Sequence, residues 1–380
     1  MRNLTRRVIL NEVKNLIEFL RLRSGQASGF ALRMTAVLVI CVYLCPSVVN
    51  NLFLFLMNII FMGTPDFAVS TLEGIINSNH KIIAVVTQPD RPKGRGREIL
   101  PSPVKLAVSE ANLVVAEANK IEVLQPEKVK EPDFIKKLWE YNPDCIVVVA
   151  FGQILPKDIL NLPRYGCINL HASLLPKYRG AAPINWALIN GETKTGVTSM
   201  FMDEGMDTGD ILIQREMQIK EDDNAGTIHN ELSMMGSNII LETLDGIEKG
   251  TISRIKQDAA IATYAPKIKK EDCLIDWSIG AKEIVNRIRG LTPAPGASTS
   301  YNGKRLKITE AVIPPRPPLE KGGWGDLKKG EVFEVNRNGI KVICGNGLII
   351  IKNLQPEGKR VMGVGEFISG HNIKAGEILG

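Results

Sequence analysis

Four histidines occur in the 380-residue chain, and one of them, His171, stands in the stretch Cys167 to Gly196, "CINLHASLLPKYRGAAPINWALINGETKTG". Asn169 lies two positions before it. On an extended chain, side chains two apart project from one face, so an amide donor and an imidazole are presented together. No serine or cysteine sits beside them in a nucleophile elbow, and the pair suits stabilisation of an oxyanion rather than formation of a covalent intermediate. A carboxylate from the next strand end, such as Asp207, would hold the imidazolium or take a proton. Asp207 belongs to "DEGMDTGD", with Asp203, Glu204 and Asp210. The plainer readings are a packed strand-end histidine and a Gly-rich turn whose carboxylates are solvated or bond nearby amides. Gly205 and Thr208 stand where a calcium loop needs ligands or its glycine, so no metal is expected.

Two further stretches could bind. Gly63 closes an apolar run, but "GTPDFA" holds one glycine, and the G-x-G-x-x-G spacing of a dinucleotide site is missing. The loop "QPDRPKGRGREILPSP" carries Arg91, Lys93, Arg95 and Arg97 alternating with Pro and Gly. Such charge on flexible backbone can follow a phosphate chain without reading sequence, or simply be solvated. Its place after the second strand favours the first, because ligands of an open α/β sheet gather at the carboxyl ends of the strands.

The elements that must position these residues alternate. "NIIFMG", "KIIAVVTQ", "DCIVVVAF", "GCINLHAS" and "GVTSMFM" read as strands, with helices after Pro65 and over "PDFIKKLWEY". Near-continuous Val/Ile runs between helices predict a doubly wound, Rossmann-like α/β domain whose parallel sheet is covered on both faces. After Ala265 the composition shifts: "EDCLIDWSIGAKEIVNRIRGL" reads as an amphipathic helical connection, followed by alternating segments between the Asn338-Gly339 and "GNG" turns. A small C-terminal all-β barrel is expected there, within which Pro314 to Gly330, rich in Pro, Gly and Lys, reads as an exposed insertion. The expected domains are residues 57–262 and 263–380.

Of the formal charge of +6, +5 lies before residue 57, so global charge says nothing about partners. The six scattered cysteines show no metal spacing and suit reduced thiols in a cytoplasmic compartment. Residues 1–56 include the apolar "TAVLVICVYLCPSVVNNLFLFLMNIIF", which Pro46, Ser47, Asn50 and Asn51 split into two halves short of the roughly 20 residues a membrane span requires. They are expected to lie outside the fold, as a start-site extension ahead of Met57 or as a targeting or membrane segment; membrane association is not expected.

"NLHASLLPKYRGAAPINWALINGE" followed by "TGVTSMFMDEGMDTGDIL" closely resembles the folate-dependent formyltransferases. "IIFMGTPDFAV", "VVTQPDRPKGRGREILPSPVK" and "PGASTSYNGKRLKI" resemble the members that act on initiator methionyl-tRNA. The resemblance covers Met57 to Gly380 apart from the Pro314 to Gly330 segment. It implies formyl transfer from 10-formyltetrahydrofolate, a co-substrate, to the α-amino group of that tRNA's methionine. It places the catalytic trio on Asn169, His171 and Asp207, folate binding on Ser173, Leu174, Leu175 and Pro176, and tRNA contacts on Arg91, Lys93, Arg95 and Arg97. The barrel, of OB-like topology by the same resemblance, offers a second tRNA surface. Ser298, where relatives commonly carry an aromatic residue, and the 314–330 segment depart from the pattern. The competing expectations are a formyltransferase for a small amine, such as an amino-sugar nucleotide, and a non-catalytic RNA-binding protein.

Overall fold

The computed structural model describes residues 57–93, 98–113, 120–315 and 328–380; residues 1–56 and most of the 314–330 segment lie outside these. In chain order the first domain comprises β1 (Asn58–Gly63), α1 (Val69–Ile76), β2 (Lys81–Val86), β3 (Arg91–Lys93), β4 (Glu98–Leu100), α2 (Pro103–Asn112), β5 (Glu122–Leu124), α3 (Pro132–Tyr141), β6 (Cys145–Val149), α4 (Lys157–Leu160), β7 (Cys167–His171), α5 (Pro183–Ile189), β8 (Lys194–Phe201), β9 (Ile211–Gln218) and α6 (Ala225–Glu248). Seven of these strands form one sheet in the order β5-β2-β1-β6-β7-β8-β9.

Strand β1 shows why the sheet is covered twice. Ile59 and Phe61 pack on one face with Leu72 and Ile75 of α1 and Ile239 and Ile240 of α6. Ile60 and Met62 pack on the other with Leu138 of α3 and Ile159 of α4. Both sets are fully buried, so a run without polar alternation is what a doubly covered strand requires. Helix α6 begins with a capping box in which the Asn224 side chain accepts from Thr227 N–H and the Thr227 hydroxyl accepts from Asn224 N–H.

The chain leaves β1 outward to β2 and β5, then returns to β6 on the other side of β1. This reversal opens a crevice at the carboxyl ends of β1 and β6. The sheet is mixed, a departure from the parallel expectation. Strand β8 runs antiparallel to β7, and β9 returns antiparallel to β8. Apolar runs look alike in either direction, so the reversal was hidden in the sequence.

The second domain comprises α7 (Ala281–Leu291), β10 (Ala297–Tyr301), β11 (Lys304–Val312), β12 (Val332–Asn336), β13 (Gly339–Cys344), β14 (Gly347–Pro356), β15 (Met362–Gly363) and α8 (Val364–Gly370). Its strands pair antiparallel in the order β10-β11-β14-β13-β12, with β15 on β14. The last residues bridge the two edges: Val332 N–H donates to Glu377 O, and Gly380 N–H donates to Ser300 O. The connection before this sheet carries a short 3-10 turn at Glu271–Cys273, and its α-helix begins only at Ala281, where Glu283 caps Gly280 N–H; between them Leu274 bridges to Ser298. Among the described residues no helix is long and apolar enough to cross a membrane.

Between the domains, residues 255–265 turn back onto the first. Ile255 exchanges two backbone bonds with Ile211, and Arg179 N–H and Ala265 N–H donate to Thr263 O and Arg179 O.

Candidate active site

A cavity of about 540 Å³ occupies the crevice, lined by Pro65 after β1, Val148 on β6 and Ala150 to Gln153 after it, Asn169 and His171 on β7, Gly180 to Asn185, Met202, Asp207 and His229 of α6. That volume is in the range of small-molecule sites. Its walls are largely apolar, and its polar groups converge on the end of β7.

Strand β7 alternates as its sequence predicts. Ile168 and Leu170 enter one core, while Cys167 packs on the opposite face, the one that Asn169 and His171 share. The Asn169 amide has no hydrogen-bond partner among the described residues. His171 is 6 % exposed. Its Nε2 donates to the Tyr178 carbonyl at 2.9 Å, because that oxygen can only accept. Its Nδ1 lies 3.6 Å from Asp207 Oδ2. In a neutral ring with the proton on Nε2, a lone pair at Nδ1 would face the carboxylate; a second proton turns that edge into an attraction.

Asp207 is fixed from three directions. Its Oδ2 accepts from Gly180 N–H at 2.8 Å, its carbonyl accepts from Gln257 Nε2 at 2.8 Å, and its turn is tied by Asp203, which accepts from Gly205 N–H and the Thr208 hydroxyl. Gly209 admits the close approach of β8: a Cβ there would lie 1.8 Å from Phe201 O. Three non-glycine residues with left-handed backbone gather here: Ala150 (φ 46°), Tyr178 (φ 61°) and Asp207 (φ 54°). Such a conformation is uncommon outside glycine and costs on the order of 1–3 kcal/mol, held by the surrounding structure. Here it aims the Tyr178 carbonyl at His171 and turns Asp207 into the cavity.

The remaining expected residues fall elsewhere. Ser173, Leu174, Leu175 and Pro176 form a turn and are not among the residues that line the cavity. Ser173 Oγ donates to Lys177 O, Ser173 O accepts from the Thr198 hydroxyl, and Leu175 O accepts from Gln214 Nε2. Arg91 pairs with Glu127 at 2.9 Å, and the ends of the basic loop pair as the ribbon β3–β4 rather than running free. Arg95, Arg97 and the side chain of Lys93 lie outside the described residues. The chain leading into the ribbon meets the cavity wall at Phe151, whose carbonyl accepts from Gln88 Nε2 and the Thr64 hydroxyl. Glu204 pairs with Lys157, and among the described residues no group of three or more His, Cys, Asp or Glu could hold a metal ion. The buried Cys145 and Cys167 have their thiols pushed up by burial, Cys167 to about 12, which leaves them unreactive. Sequence reasoning missed Phe67, Phe151, Gln153, Ile184 and His229 in the lining, because each reaches the cavity from a loop or helix end with no motif of its own.

An amide, an imidazole and a carboxylate meet at the switch point of a doubly wound sheet with no side-chain nucleophile among them, groups that can stabilise an oxyanion and move a proton. Residues 57–244 match the model of the family described as formyl transferase, and residues 267–372 match that of the formyl transferase C-terminal domain. A methionyl-tRNA formyltransferase of Geobacter metallireducens is 50% identical over 324 residues, covering 85% of this chain and 99% of that protein. One of Pelotomaculum thermopropionicum is 48% identical with the same coverage. Among solved structures, an N-formyltransferase from Helicobacter canadensis superposes with a TM-score of 0.55 at 21% identity, over 79% of this chain and 100% of that one. HypX from Aquifex aeolicus, in complex with tetrahydrofolic acid, superposes at 0.53 and 20% identity, over 83% of this chain and 48% of that one; both show a shared fold. The chain belongs to the formyl transferase family.

Proposed function

We propose that the protein transfers the formyl group of 10-formyltetrahydrofolate to the α-amino group of methionine esterified to initiator tRNA. The carrying observation is the near-complete coverage of relatives bearing that name, together with a cavity in which Asn169, His171 and Asp207 converge.

The chemistry follows from those groups. An α-amino group titrates near ~7.7 to 8.0, so neutral amine is already plentiful at neutral pH. The protein's task is to place that nitrogen against the formyl carbon and stabilise the tetrahedral oxyanion. A new N–C bond forms as the carbonyl π pair moves to oxygen. The Asn169 amide donates to that oxygen and the positive charge of a protonated His171 stabilises it, while the Tyr178 carbonyl holds the ring by Nε2. Asp207 keeps the imidazolium in place and relays the amine's proton to N10, whose bond to the formyl carbon breaks as the carbonyl re-forms. The products are the N-formyl amide and tetrahydrofolate.

Folate occupies the cavity between the Ala150–Gln153 loop and Met202. The turn of Ser173, Leu174, Leu175 and Pro176 supports it from behind by setting the path of the chain from His171 to Gly180. Arg91, Lys93, Arg95 and Arg97 of the basic loop meet the tRNA backbone, and the C-terminal domain offers a second surface. The working compartment on this reading is the cytoplasm.

Comparing kcat/KM for charged initiator tRNA, uncharged tRNA and amino-sugar nucleotides tests the reading. Charged tRNA should be preferred by at least about 10³-fold, as expected where specificity is built on the whole acceptor. Equal or better turnover of an amino sugar would overturn it.

A further inference from the structure

We infer that Gln257 is a positioning residue for the formyl-transfer site, holding Asp207 against His171 by clamping the loop that carries Asp207 to the loop that carries Tyr178 and Gly180. Gln257 lies in residues 245–266, between the segments that the two family models match, and no motif marks it.

Its amide uses all four of its hydrogen-bonding positions. Oε1 accepts from Arg179 Nε at 3.0 Å and Nη2 at 2.7 Å. Nε2 donates to Asp207 O at 2.8 Å and Gly209 O at 2.8 Å. Two donors on one side and two carbonyls on the other fix which amide atom is which. Arg179 is 5 % exposed, so this contact carries a buried charge that needs acceptors.

The two clamped loops supply the fixed partners of the catalytic groups. On one side Asp207 stands in a left-handed conformation, with Gly209 pressed against Phe201 O. On the other, Tyr178 O receives His171 Nε2 and Gly180 N–H binds Asp207 Oδ2. Gln257 therefore joins the backbone of Asp207 to the residue lying between Tyr178 and Gly180. Its own segment is anchored independently, by the bonds between Ile255 and Ile211. An amide of glutamine length does this; a glutamate would keep the two acceptors for Arg179 but set an anion against two carbonyls.

The inference rests on the role proposed for Asp207. Gln257→Ala, Gln257→Glu and Asp207→Asn are compared by single-turnover formyl transfer at saturating 10-formyltetrahydrofolate, by KM for charged initiator tRNA, and by thermal melting. Both Gln257 variants should lose roughly 10- to 100-fold in kcat, the scale of a sub-ångström to 1 Å misplacement, with KM changed by less than about threefold. Gln257→Glu should remain folded, because the Arg179 contact persists, with a melt lowered by the two lost bonds to Asp207 O and Gly209 O. Wild-type kcat in Gln257→Glu would show that Gln257 serves Arg179 alone and would overturn the inference, as would a loss carried mainly by KM. Unfolding of both variants would assign Gln257 to stability and overturn it equally. A fully active Asp207→Asn would instead sink the proposed role of Asp207, whatever the Gln257 variants do.

Discussion

On the proposed mechanism, replacing Asn169 by alanine removes the amide donor to the oxyanion and little else. Its side chain makes no hydrogen bond to the described residues, so no buried partner is left unsatisfied, and stability should change by no more than about 0.5 kcal/mol. The transition state then loses one donor, worth about 2.7–4 kcal/mol, which is roughly a 10²- to 10³-fold fall in kcat. His171 still faces the oxygen, held by the Tyr178 carbonyl at 2.9 Å and by Asp207, so the residual rate should stay measurable. The assay is rapid-quench transfer of labelled formyl to charged initiator tRNA, with tetrahydrofolate affinity read separately by fluorescence titration. Folate affinity should be retained within about threefold, because uniform binding is not what the amide supplies. A kcat within about twofold of the wild type, or a loss confined to KM, would refute the assignment.

Two further perturbations probe the support of the site. Tyr178→Phe removes a hydroxyl that donates to Glu192 at 2.9 Å and should cost about 1 kcal/mol in denaturant unfolding. Burial pushes that phenol up to about 12, above its usual ~10, so its contribution is complete below pH ~10 and is lost as pH rises through ~12. The variant should lack that alkaline loss, and an unchanged profile would speak against it. Gly209→Ala would drive a Cβ to 1.8 Å from Phe201 O, so melting temperature and kcat should fall together, by roughly 1–3 kcal/mol in stability. A wild-type melt would contradict the close approach.

What could be read in the sequence was what local periodicity encodes. The strands from "NIIFMG" to "GVTSMFM" announced themselves by doubly buried apolar runs, and the shared face of Asn169 and His171 followed from a period of two. Asp207 was one candidate carboxylate among several on a Gly-rich turn, and the resemblance singled it out, since such a carboxylate has many plainer uses. The rest depends on loops meeting across long separations. Gly180 N–H reaches Asp207 across 27 residues, and Gln257 reaches it across 50. The left-handed backbone of Tyr178 leaves no composition signal at all. The antiparallel entry of β8 was hidden for a related reason: strand direction is decided by the connection, not by the strand's own residues.

The central claim is that this site places a formyl group on the methionine nitrogen of a charged initiator tRNA. Its most direct measurement is to incubate the purified protein with 10-formyltetrahydrofolate and methionyl initiator tRNA, strip the amino acid by mild base, and identify it by mass spectrometry. N-formylmethionine is expected from the wild type, with a loss of at least roughly 10²-fold in its rate of formation in Asn169→Ala. Unmodified methionine from the wild type, or an undiminished rate from the variant, would contradict it.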